Sequence, residues 1–191
     1  MSKEWIRSSI RFIWETLEIV IIALAIILPI RYFLATPFMV KGASMEPNFH
    51  DYNYLVIEEI SYRFHNPERG DIVVLKDPEA NKSYFIKRVI GLPHEKVEIK
   101  DGSVYIYNDA HLDGAKLDES VYLSQDMATT SPKEAWELGE DEYFVMGDNR
   151  KVSLDSRRFG PINKERITGR TWIRAFPFTK MTIYKGINYS I

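Results

Sequence analysis

The stretch Val97-Glu98-Ile99-Lys100-Asp101-Gly102-Ser103-Val104-Tyr105-Ile106-Tyr107 decides the fold class. On both sides of Asp101-Gly102 apolar side chains fall at every second position, the spacing that turns one face of a strand into a core. Asp-Gly is the dipeptide favoured in a two-residue hairpin turn, so these residues predict a β-hairpin.

The same pattern continues outward. Residues 52–60, 71–76, 83–90, 97–99 and 104–107 are rich in β-branched and aromatic side chains. Turn formers separate them: Asn66-Pro67, Arg69-Gly70-Asp71, Asp77-Pro78 and Gly91-Leu92-Pro93. Residues 143–146 and 171–176 read as two further strands. Short strands at this spacing predict a mainly β protein, an antiparallel sheet or open barrel rather than a parallel sheet. Residues 108–142 carry a weak, polar pattern and predict an irregular excursion. Arg69-Gly70-Asp71 reads as a strand-entry turn, not an adhesion signal.

The chain has 191 residues, 45% hydrophobic and 27% charged, which suits one domain with an appendage and excludes global disorder. Twenty-five basic against 27 acidic side chains leave a net charge of −2, so no large positive field marks a nucleic-acid partner. Cysteine is absent, which rules out disulfides, a thiol nucleophile and thiolate metal sites.

The appendage is N-terminal. Residues 19–30, IVIIALAIILPI, carry no charge, and apolar character extends from Phe12 to Phe33. Roughly 20 apolar residues span a bilayer core, so residues 12–34 are expected to form a transmembrane anchor, with Glu15, Glu18 and Arg31 near its ends. Lys3, Arg7 and Arg11 precede the run and Arg31 alone follows it closely, which predicts a cytoplasmic segment 1–11 and an extracytoplasmic domain 35–191. A cleavable secretory signal also suits a short apolar core, but no small-x-small cleavage site follows. A buried core helix would leave the flanking charges without purpose.

Three constellations carry chemistry. In Lys41-Gly42-Ala43-Ser44-Met45-Glu46-Pro47, small residues and a proline hold Ser44 on a stiff turn, where an acyl-transfer nucleophile needs an exposed hydroxyl and open amides. Most serines in turns simply satisfy nearby backbone. In Tyr84-Phe85-Ile86-Lys87-Arg88-Val89-Ile90, strand alternation puts Lys87 with Phe85 and Val89, and Arg88 with Ile86 and Ile90. Apolar neighbours lower a lysine's pKa, and a fall to about 7–8 corresponds to roughly 4 kcal/mol of lost ammonium stabilisation. The resulting amine can take a proton from serine, which a guanidinium cannot. The alternative is a lysine snorkelling at a sheet edge. The third stretch, Gly147-Asp148-Asn149-Arg150-Lys151-Val152-Ser153-Leu154-Asp155-Ser156-Arg157, reads either as a capped turn with surface ion pairs or as a polar scaffold that orients catalytic groups. His50, His65, His94 and His111 are scattered without metal-ligand spacing, so no metal and no cofactor is expected. A Ser-His-Asp triad stays open at this point, because triad order varies between folds.

Together these stretches resemble the bacterial type I signal peptidases, membrane-anchored serine proteases that remove signal peptides from exported preproteins. GASMEPNF is similar to the family's nucleophile box, FIKRVIGLP to its lysine box, GDNRKVSLDSR to its late box, and RGDIVV at 69–74 to a further family strand. The four occur in family order behind one anchor, and the length matches the compact bacterial form. The resemblance implies Ser44 as nucleophile and Lys87 as general base. It implies that Ser153 hydrogen-bonds the lysine, that Asp155 and Arg157 form a supporting ion pair, and that Asp148 and Arg88 are structural. Phe38, Val40, Phe49, Phe85 and Ile86 are expected to line shallow pockets for small side chains, entered by an extended substrate strand. The implied partners are secretory preproteins and membrane lipid. Gly42 stands where some members carry a hydroxyl for the oxyanion, Asn48 where threonine is usual, and His94-Glu95 where Gly-Asp is usual. The self-cleaving repressor proteases share the Ser/Lys pair, but residues 1–40 are neither basic nor helix-turn-helix-like. A membrane-tethered β module without enzymatic activity is the rival from another class.

Overall fold

The computed structural model describes residues 2–29, 36–78, 80, 83–124, 127–184, 186–187 and 189. In chain order the principal elements are α1 (Ser2–Pro29), β1 (Thr36–Met39), β2 (Tyr54–Glu58), β3 (Ile72–Lys76), β4 (Tyr84–Gly91), β5 (Lys96–Lys100), β6 (Ser103–Asn108), β7 (His111–Lys116), β8 (Ala135–Glu137), β9 (Glu142–Met146), α2 (Ser156–Phe159), β10 (Ile162–Asn163), β11 (Ile167–Phe176) and β12 (Thr182–Ile183).

Every described strand pairing is antiparallel. The larger sheet runs β1-β2-β11-β3-β4-β9-β10, with β12 on β11, and the smaller runs β7-β6-β5-β8. The predicted hairpin is β5–β6. Lys100 faces Ser103 across its turn, and Asp101 and Gly102 take φ of 50° and 74°, the positive values a two-residue turn of this hand requires.

The excursion expected at 108–142 is only partly irregular, because β7 and β8 flank the hairpin on its two edges. Neither has the pattern that reveals a strand. No residue of β7 is buried, so nothing forced alternation there, and β8 is three residues long. The short strands β1, β10 and β12 were likewise not expected.

The two sheets share a core. Ile90 from β4 and Phe144 and Met146 from β9 pack with Val97, Ile99, Val104, Ile106, Leu117, Trp136 and Leu138. Full burial of such side chains contributes about 1.5–3 kcal/mol each. Gly91 sits where the sheets touch, since a Cβ there would stand 2.5 Å from Val97 and 2.8 Å from Leu138. The same face of the large sheet carries a second cluster of Val40, Met45, Phe49, Leu55, Ile57, Ile72 and Val74, and the opposite face buries Val73, Leu75, Val89, Tyr143, Val145 and Ile162.

Helix α1 displays its apolar side chains to the outside, with Ile19, Ile21, Ile26 and Ile27 all more than half exposed. Among the described residues no helix is long and apolar enough to cross a membrane. The uncharged part of α1, residues 19–29, rises about 16 Å, against a hydrocarbon core of about 30 Å. The expected span over 12–34 runs into residues 30–35, which lie outside the described ones.

One feature of the large sheet prepares the site. Tyr84 to Arg88 pair with β3, whereas β9 joins β4 only from Arg88 onward. The first half of β4 therefore keeps an unpaired edge, and β1 ends the sheet on its other side.

Candidate active site

Two backbone segments bring Ser44 and Lys87 together. Lys87 comes from β4, and Ser44 from the loop between β1 and β2. That loop is closed at its base by the Val40 N–H on Asn53 O and the Tyr52 N–H on Val40 O. Inside it, Gly42 takes φ of 87° and its N–H donates to Asp51 Oδ1 at 3.0 Å. A turn of this hand favours glycine.

Lys87 Nζ lies 2.9 Å from Ser44 Oγ and donates to Ile86 O at 2.9 Å. Lys87 is 3% exposed and its ammonium is 5.2 Å from the centre of the Phe85 ring, so the snorkelling alternative is excluded. Burial lowers its pKa from 10.5 to about 8, against the pull of Asp155 and Asp148, which favour the charged form. Ser44 Oγ thus has a lysine as partner, not a histidine. His50 faces Glu46 instead, at 3.4 Å.

The predicted supporting residues form two buried ion pairs. Arg88 grips Asp148 with two bonds of 2.8 and 2.7 Å, donates to Gly70 O and stacks over the Tyr122 ring at 4.0 Å. Arg157 grips Asp155 with two bonds of 2.8 Å and donates to Thr130 O. Burial raises the Asp155 carboxyl pKa, but Arg157 and the Gly147 N–H outweigh it and hold the group below its ordinary value. Such fork-on-carboxylate pairs fix orientation as well as charge.

Ser153 departs from expectation. It is buried and its Oγ makes no well-formed hydrogen bond, lying close enough to the Asp155 carboxylate to help lower that group's pKa, and the bonds of Lys87 Nζ go to Ser44 and Ile86 instead. It lies against Gly147, where a Cβ would stand 2.2 Å from Ser153 Oγ and 2.4 Å from Ser44 O. The Asn149 N–H holds the same Ser44 carbonyl at 3.0 Å. Gly147→Ala therefore displaces the nucleophile loop. Misplacing a reacting group by about 1 Å costs about 100-fold, so the rate at which a serine-directed reagent acylates Ser44 should fall by about that factor. A wild-type rate in the folded variant would contradict this packing.

A groove of about 410 Å³ opens beside the pair, between β1 and the unpaired half of β4. Phe38, Val40, Phe85 and Ile86 line it, and Phe38 meets Tyr84 edge to face at 5.3 Å. Phe49 does not. It is fully buried beneath the nucleophile loop, with its ring 4.7 Å from that of Tyr184, because the loop turns its apolar side chains at Met45 and Phe49 into the core. Sequence reasoning missed Lys41 and Tyr84 as lining residues, and missed Arg150, which ties Gly147 O to Glu119. Strand alternation alone does not say which unpaired edge forms a wall.

The Ser44 N–H has no acceptor among the described residues, and nothing lies within 4 Å of where a Gly42 Cβ would stand. A donor beside open space is what a developing oxyanion needs. The site therefore combines a serine hydroxyl, a buried amine, a free amide and a strand-wide groove.

A family model described as signal peptidase, peptidase S26, matches residues 13–176. A signal peptidase I of Bacillus licheniformis is 37% identical over 183 residues, covering 88% of this chain and 91% of the relative. Signal peptidase IB of Staphylococcus aureus Mu50 is 34% identical over 181 residues, covering 87% and 92%. A solved signal peptidase I structure from Enterococcus faecalis V583 is 30% identical, covering 56% of this chain and 97% of that one, with a TM-score of 0.44.

Proposed function

Because the chain belongs to the signal peptidase family, peptidase S26, it is a serine protease that removes signal peptides, and we propose that Ser44 and Lys87 are its nucleophile and general base. The observation that carries this reading is the 2.9 Å approach of Ser44 Oγ to a buried amine. In the reactive state Lys87 is neutral and the Ser44 O–H donates to its lone pair. As Oγ attacks the carbonyl at the cleavage site, the proton passes to Nζ. The oxyanion accepts the Ser44 N–H. Collapse breaks the peptide bond, Lys87 returns the proton to the departing amine, and the mature protein leaves. Lys87 then takes a proton from water as the water oxygen attacks the ester, and on collapse returns that proton to Ser44 Oγ, releasing the signal peptide and restoring the serine and the neutral amine.

The substrate strand lies in the groove, adding to the unpaired edge of β4. The walls at Phe38, Val40, Phe85 and Ile86 admit small side chains and reject large ones by collision, which favours cuts after small-x-small sequences. Ser153 is proposed to orient Lys87 from beside Asp155, since its buried hydroxyl makes no well-formed bond elsewhere. Asp155–Arg157 and Arg88–Asp148 hold the surrounding loops.

Membrane attachment belongs to the same proposal. The exposed apolar side chains of α1, continued through residues 30–34, suit an anchor with residues 1–11 in the cytoplasm and the catalytic domain outside. Confining enzyme and preprotein to one membrane raises their effective concentration.

The pH dependence tests the lysine's role. Lys87 is charged, and inactive as a base, below its pKa of about 8. The kcat/KM for preprotein cleavage should therefore climb about tenfold per pH unit below 8 and level off above it. A flat profile between pH 6 and 10 would contradict a titrating general base.

A further inference from the structure

We propose that Asn48 is a positioning residue whose side-chain amide, held on the Asp148 carboxylate, locks the loop carrying Ser44 to the strand carrying Lys87. This rests on the reading of Ser44 and Lys87 as the reacting pair, and deepens it.

The nucleophile loop must hold Ser44 within hydrogen-bond reach of an amine on a strand 43 residues away. Asn48 lies four residues beyond Ser44 in that loop. Its Nδ2 donates to Asp148 Oδ2 at 2.8 Å and to Tyr122 O at 2.9 Å, which uses both protons of the amide. Asp148 is fully buried and the same carboxylate takes both bonds from Arg88, the residue after Lys87 in β4. Asp148 is thus shared between the two halves of the catalytic pair, with Asn48 on one side and Arg88 on the other. The backbone of Asn48 is fixed as well, because its carbonyl accepts from Arg174 Nη1 at 2.7 Å, and Arg174 is anchored on Lys180 O. A neutral amide suits this place. It satisfies a buried carboxylate without titrating and adds no charge near Lys87.

Burial lowers the Lys87 pKa, Asp155 at the start of α2 and Asp148 in the turn after β9 favour the charged form, and Arg157 opposes it. An aspartate at position 48 would set a second carboxyl against the buried Asp148 carboxylate, where like charges force the two to share one proton, so it would offer one bond where the amide makes two. Threonine offers one proton where the amide offers two.

The test uses the full chain in detergent, cleaving a preprotein, with kcat counted per active site titrated by a serine-directed acylating reagent. Asn48→Leu should lower kcat per titrated site about tenfold and leave KM within about twofold, because the pair is displaced while the groove is intact. Asn48→Thr should fall between it and the wild type. Asn48→Asp should lower kcat per titrated site about as far as Asn48→Thr, because its shared proton makes one bond where the amide makes two. A purely structural role would lower Tm and the titratable fraction but leave kcat per site unchanged. Wild-type kcat per site in both Asn48→Thr and Asn48→Asp would overturn the proposal, even if Asn48→Leu fails to fold. Ser44→Ala runs beside them. Residual activity in that variant would remove the Ser/Lys reading itself, whereas an inactive Ser44→Ala with unaffected Asn48 variants would remove only the positioning role.

Discussion

Lys87→Arg should reduce preprotein cleavage by about 10⁴-fold, the upper range for loss of a general base. The substitution keeps a positive charge and a long stem, so a purely electrostatic or packing role would survive it in part. It removes the one property the mechanism needs, a nitrogen that gives up its proton near pH 8, because a guanidinium stays charged. Overcrowding is the competing explanation for a dead Lys87→Arg enzyme, since the side chain is 3% exposed. Lys87→Met removes that ambiguity. It fills similar space without the amine, should be equally inactive, and should have a Tm at or above that of the wild type because a buried amine is no longer desolvated. An active Lys87→Met enzyme would end the assignment of Lys87 as base. A marked fall in its Tm would show that the amine stabilises the fold instead.

The second large effect is on the nucleophile. Ser44→Ala deletes a single oxygen whose hydrogen-bond partner is Lys87 Nζ. The loop's other ties, the Asn149 N–H on Ser44 O and the Gly42 N–H on Asp51, do not involve that oxygen. Stability should therefore change by less than about 1 kcal/mol, while cleavage falls at least about 10⁴-fold. The variant should also resist serine-directed acylation. A folded Ser44→Ala protein that is still acylated at the active site would move the nucleophile elsewhere.

Ser44 and Lys87 were legible chiefly because their stretches resemble the boxes of a known family. Taken alone, a serine among small residues and a lysine in the apolar run of 84–90 each left a bland alternative open. The β character was legible directly, because alternation and the Asp101-Gly102 turn are local signals. Less legible were contacts between distant segments. Arg88 finds Asp148 60 residues on, and Arg150 finds Glu119 31 residues back, which no spacing rule announces. Phe49 was expected in the groove wall only because the resemblance implied it, and no local pattern argued against that. Only the fold shows that the loop turns it down onto Tyr184. Strand β7 escaped notice because an edge strand with no buried residue has no reason to alternate.

The most direct test of the account is cleavage of a purified preprotein by the detergent-solubilised chain, beside its Ser44→Ala variant, with the new N-terminus located by mass. The account predicts one cut after a small-x-small tripeptide, made by the wild type and absent from the variant. An equal cut by both proteins, or none by a correctly folded wild type, would contradict it.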